Sequence, residues 1–145
     1  MITLEAYWMG RDKEYADELT DEIRANAQVT VDRVNELLAR AGRSSIDRLS
    51  SGFRPKAIND ATSNAAKGSK HLTAEAADIP DADRLLAGWC MDNLDVLREI
   101  GLWAEDPRWT PTWLHVQIVP PKSGKHVFIP NSLPPKDPSF PVTWV

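Results

Sequence analysis

The sequence predicts an α+β domain, with several helices beside a small antiparallel sheet. Three observations carry this. Apolar residues recur at three- and four-residue steps in long stretches of the first and middle thirds. Two short runs, 102–105 and 112–118, lie close enough together to form a hairpin. The second run alternates strictly, with Leu114, Val116 and Ile118 on one face and Trp113, His115 and Gln117 on the other. At 145 residues, the chain is the length of one domain with one core.

Over 12–28 the stripe Tyr15, Ala16, Leu19, Ile23 and Ala27 predicts an amphipathic helix, with Asp17, Glu18, Asp21 and Glu22 on its solvated face. A second helix is expected from Val31, with Thr30 as N-cap, Val34, Leu37, Leu38 and Ala41 as its stripe, and Gly42 as its stop. The helical period is lost over 44–55, a short strand candidate with Gly52 near its end and Pro55 closing it. Residues 56–68 read as a polar loop with at most a turn or two of helix. A third helix is expected to open at Pro80–Asp81 and run through Leu85, Leu86, Trp89, Cys90, Leu94, Leu97 and Ile100 to Gly101. Residues 102–105 and 112–118 follow as strands joined by 106–111. The segment from Pro120 holds seven of the eleven prolines and is expected to be irregular, with His126 structural or at the surface and Phe140 and Trp144 packing back on the domain.

Composition excludes several classes. The longest apolar runs are only a few residues, so no membrane span is expected. The first residues lack the basic and apolar regions of a cleaved secretion signal. A net charge of -4 without any basic run argues against nucleic-acid binding. The single cysteine, Cys90, cannot form an internal disulfide and is expected to be a buried, inert thiol.

Chemistry concentrates in 69–78, where His71 and Asp78 stand seven positions apart among the small residues Ala74, Ala76 and Ala77. Imidazole with carboxylate is a ligand pair suited to zinc, and small side chains let the backbone approach an ion. His115 is the natural candidate for a third ligand. The alternation of its strand turns it away from the apolar face, beside Trp113 and Gln117.

Three separated pieces, Ser51-Gly-Phe-Arg54-Pro55, Ser69-x-His71-x-x-Ala74-x-Ala76-x-Asp78 and Trp113-Leu-His115-Val-Gln117, resemble in their order the zinc D-Ala-D-Ala carboxypeptidase and L-alanyl-D-glutamate endopeptidase family, which includes phage endolysins. The match covers about residues 50–118. The resemblance implies a single hedgehog/DD-peptidase-like domain over 1–145, in which 1–49 is mainly helical scaffold, 50–118 carries the metal and substrate site, and 119–145 is a Pro-rich end. It also implies one zinc ion held by His71, Asp78 and His115 with a fourth position open. Arg54 matches a substrate-contacting arginine and Ser69 a residue of the substrate pocket; Trp113 and Gln117 are expected to line the same cleft.

One departure bears on activity. Many members carry a glutamate general base three residues before the last histidine ligand, where this chain has Thr112. A threonine hydroxyl cannot accept a proton from water at neutral pH. Glu105 is the first candidate to replace it and Asp106 the second.

The expected function is zinc-dependent hydrolysis of peptide bonds in bacterial cell-wall stem peptides or cross-links, by a monomer acting as a carboxypeptidase or an endopeptidase. A phage lysis or virion protein made in the host cytoplasm, or a cytoplasmic dipeptidase, fits the absence of a signal. The competing expectations are a non-catalytic zinc module for wall recognition or virion structure, to which Thr112 would point, and a metal-free structural protein.

Overall fold

A computed structural model describes residues 1–62 and 65–142. The chain opens with two short helices, α1 (Leu4–Trp8) and α2 (Arg11–Glu14), and a single 3-10 turn at Ala16–Glu18. The long helix α3 (Asp21–Arg40) comes next. This corrects the expected helices over 12–28 and from Val31. Thr20, not Thr30, caps the helix, its hydroxyl accepting the Ile23 N–H at 3.1 Å. Thr30 lies buried in mid-helix, where its hydroxyl donates to the Ala74 carbonyl at 2.8 Å. A threonine whose hydroxyl finds a tertiary acceptor has no need to end a helix, so the period runs through it.

After α3 the chain reaches α4 (Lys56–Ala61) and a 3-10 turn, Lys70–Thr73. Strand β1 (Ala76–Pro80) occupies the second half of the His71–Asp78 stretch. The helix expected from Pro80–Asp81 to Gly101 is two helices, α5 (Leu85–Asp92) and α6 (Leu94–Ile100). Asp81 stays outside them, its carboxylate accepting the N–H groups of Leu86 and Ala87. Asn93 breaks the pair by leaving helical geometry and donating its side-chain amide to the Trp89 carbonyl. Gly101, at φ 87, ends α6 as expected.

Strands β2 (Trp103–Glu105) and β3 (Trp113–Gln117) pair antiparallel, and β3 also pairs antiparallel with β1. The Pro-rich end supplies a fourth strand, β4 (Val127–Phe128), parallel to β2. The order is therefore β1-β3-β2-β4 in a mixed sheet, whereas the sequence suggested a wholly antiparallel one. The cause is the outer edge of β2, whose Ala104 and Asp106 N–H groups need acceptors and find the carbonyls of His126 and Phe128. The strand candidate over 44–55 reduces to one bridge, Ser51 to Asp78, on the open edge of β1.

The core lies between one face of this sheet and the helices. Ala77, Ile79, Ala104, Leu114, Val116 and Val127 meet Val31, Val34, Leu37 and Leu38 of α3 together with residues of α5 and α6. Cys90 is buried within it, and burial pushes its thiol well above the usual range, as an inert core thiol requires. At the C-terminal end Phe140 packs back as expected, 4.5 Å beneath the Arg84 guanidinium. Trp144 lies outside the described residues. No helix among the described residues is long and apolar enough to cross a membrane.

Candidate metal centre

The sheet's second face carries the chemistry. Pairing places Asp78 of β1 opposite His115 of β3. The β2–β3 register sets Ala104 opposite Val116, so its next step brings Glu105 beside His115. Phe128 pairs with Glu105 on the far side, and its ring meets that of His115 edge-on at 6.1 Å. One transverse row, Asp78, His115, Glu105, Phe128, thus crosses all four strands. Strand alternation puts the four side chains on the face opposite Leu114 and Val116.

His71 reaches this row from the 3-10 turn. Ser69 caps that turn, its hydroxyl oxygen accepting the His71 N–H at 3.2 Å. Ala74 ends it in left-handed geometry at φ 58 and turns the chain into β1. Asn26 and Thr30 of α3 donate to the carbonyls of Thr73 and Ala74, which fixes the turn against the long helix. The His71 ring is almost fully buried, with Nε2 3.2 Å from Asp78 Oδ1. The same oxygen is 2.9 Å from His115 Nδ1. One ligand atom from each of the three residues lies within 4.8 Å of the others, so the group could hold a metal ion.

Donor chemistry supports that fit. His71 Nδ1 is 2.7 Å from the Gly52 carbonyl oxygen, which can only accept, so Nδ1 carries the ring proton. The Nε2 lone pair then confronts a carboxylate oxygen with no proton of its own between them. Such a confrontation is satisfied by a cation held at the cluster, either an added proton or a metal ion. Burial alone would raise the Asp78 carboxyl, but the charge of His71 and hydrogen bonds with both rings outweigh it and hold Asp78 well below the usual carboxylate range. Burial likewise opposes charge on His115, yet its hydrogen bond to Asp78, the Asp78 charge and Glu105 push it up to about 9. Burial keeps His71 on the low side against the pull of Asp78.

Arg54 joins this site from the segment after the Ser51 bridge. Its N–H donates to the His71 carbonyl at 3.0 Å, its side chain is buried, and its Nε has no hydrogen-bond partner. Burial lowers its affinity for a proton, and the charges of Asp78 and Glu105 counter that only in part, against the repulsion of Arg11. An unsatisfied buried guanidinium nitrogen beside the His71, Asp78 and His115 side chains is a costly arrangement that a bound ligand would relieve. Burial raises Glu105 above the ordinary glutamate range, reinforced by Asp78 and Asp106 and opposed by His115 and Arg54.

The remaining predicted residues separate. Trp113 is half-buried on the same face, opposite Pro80. Ser69 shapes the turn that presents His71. Gln117 is buried, with Oε1 3.0 Å from His115 Nε2, so it meets the ring of a candidate ligand where sequence placed it among substrate contacts. Asp106 is a correction. It is buried at the end of β2, and its carboxylate accepts from Nε and Nη2 of Arg108, the shortest contact being 2.7 Å, and from the Arg108 N–H. Its oxygens are thus committed to a turn, and of the two acids only Glu105 lies in the row with Asp78 and His115. Thr112 is exposed.

Two contributors escaped the sequence reading. The Gly52 carbonyl fixes the His71 ring, and the only hint of it was a glycine beside Phe53 and Arg54. Phe128 closes the row from a segment expected to be irregular. Comparisons of this chain with known protein families, with curated proteins and with solved structures give no match.

Proposed function

We propose that this chain is a zinc-dependent peptidase acting on the stem peptides or cross-links of bacterial cell wall. The observation that carries the proposal is the row of Asp78, His115 and Glu105 completed by His71, with the buried Arg54 beside it, its Nε without a hydrogen-bond partner. His71, Asp78 and His115 would hold the ion, which supplies Lewis acidity toward a peptide carbonyl and toward water. Arg54 would bind the substrate's carbonyl oxygen or a neighbouring carboxylate. Glu105 takes the proton acceptor's part that Thr112 cannot fill. Its raised affinity for protons suits an acid–base group working nearer neutrality than an exposed glutamate. Trp113 offers an apolar wall to the cleft. The cell-wall assignment rests on the resemblance of the three motif segments, and the site's chemistry supports hydrolysis of an amide more generally.

The test is a digest of purified peptidoglycan and its stem peptides, read by mass spectrometry, with zinc-loaded wild type and His71→Ala. New fragments from wild type alone are expected, and their masses name the bond. An uncut substrate, under conditions where a family enzyme cleaves it, would sink the proposal and leave the non-catalytic zinc module in its place.

A further inference from the structure

His115 offers two ring nitrogens, and only Nδ1 faces Asp78 Oδ1. Which nitrogen carries the proton decides whether a lone pair points into the cluster. The other nitrogen, Nε2, meets Gln117 Oε1 at 3.0 Å. A glutamine amide could present either end to it, because its oxygen accepts and its nitrogen donates. The ambiguity is removed two residues on, where Gln117 Nε2 donates to the Val119 carbonyl at 2.9 Å. A flipped amide would bring two acceptor oxygens together there. Val119 therefore orients the amide, and the amide's oxygen keeps the Nε2 proton in place.

We propose that Gln117 is a positioning residue for metal binding, which locks His115 in the form whose Nδ1 lone pair is free for the ion. Its surroundings suit that task. Gln117 is 5% exposed and lies opposite Ala76 and Trp103 in the sheet, with little freedom to swing toward substrate. The lock is the counterpart of the Gly52 carbonyl at His71, built from a side chain because the edge of the His115 ring faces along its own strand. Outer hydrogen bonds of this kind orient ligand rings and typically hold 10- to 100-fold in metal affinity.

This inference rests on the zinc reading of the triad and is tested with zinc alone. Zinc affinity is measured by competition with a chromophoric chelator, and the protonated ring nitrogen of His115 is read from long-range nitrogen–proton correlations of the zinc-loaded protein. Gln117→Met, close in volume but offering only a weakly accepting sulfur to the Nε2 proton, is expected to weaken zinc binding by about 10- to 100-fold. Should Gln117→Met not fold, Gln117→Asn, too short to reach both partners, replaces it with the same expectation. Unchanged zinc affinity and an unchanged ring proton in these variants would overturn the role of Gln117 alone. A wild-type protein that binds no zinc would overturn the metal reading with it.

Discussion

Asp78 and His115 occupy facing positions on β1 and β3, and this pairing brings Asp78 Oδ1 to 2.9 Å from His115 Nδ1. The two residues are 37 positions apart in the chain. Their meeting is enforced by the register that buries Ala77 and Ile79 with Leu114 and Val116, since a one-residue slip would turn either side chain into the core.

The first prediction concerns the ion. Added zinc should raise the melting temperature of chelator-treated protein, by an amount that grows with free zinc as mass action requires. Asp78→Asn removes the negative charge that both rings face, and the zinc-dependent rise should shrink to near zero. A full shift in Asp78→Asn would show that zinc binds elsewhere.

The pH dependence of the metal-free protein follows from His115, raised to about 9 in the fold against an ordinary value of about 6.5. A raised base contributes stability that is fully present below the unfolded value and is lost as pH climbs through the folded one. Chelated protein should therefore lose melting temperature between about pH 6.5 and 9, and His115→Gln should flatten that slope. Zinc binding in the same window should release a proton, visible as a dependence of calorimetric heat on the buffer's ionisation enthalpy.

Glu105→Gln separates function from stability. The acid is raised in the fold, so ionising it favours the unfolded chain as pH rises from about 4.3 to the folded value, with a constant penalty beyond. Without metal, the glutamine variant should melt at a higher temperature than wild type near neutrality, and the difference should vanish in acid. If Glu105 is the proton acceptor, hydrolysis by the zinc-loaded variant should fall by about 10²- to 10⁴-fold. Retained turnover would remove Glu105 from that role.

Gly52 lies where a Cβ would collide with the Tyr7 carbonyl oxygen. Gly52→Ala should cost about 1–3 kcal/mol in denaturant unfolding. Because the Gly52 carbonyl also holds His71, zinc affinity should fall with it. An unaffected unfolding midpoint would mean that α1 yields freely at this contact.

Much of this could be read along the chain. The stripe of α3, the stop at Gly101 and the alternation of 113–117 are local patterns, legible because burial repeats with the period of the backbone. The spacing of His71 and Asp78 and the parity of His115 marked three candidate ligands, which the fold brings together. Continuity at Thr30 was not legible, because the acceptor of its hydroxyl, the Ala74 carbonyl, lies 44 residues away. Strand β4 stayed hidden for a similar reason, since its pairing depends on an edge left open by β2.

Sequence by itself determined which residue types could bind a metal and that His115 turns from the core. Tertiary structure alone decided that Glu105 stands in the row while Asp106 is held by Arg108, that Arg54 Nε is buried without a partner, and that Gln117 meets a ligand ring. The reason is physical: ligand identity and strand parity are properties of the local chain. Which hydrogen-bonding group is satisfied, and by what, depends on neighbours that only folding brings together.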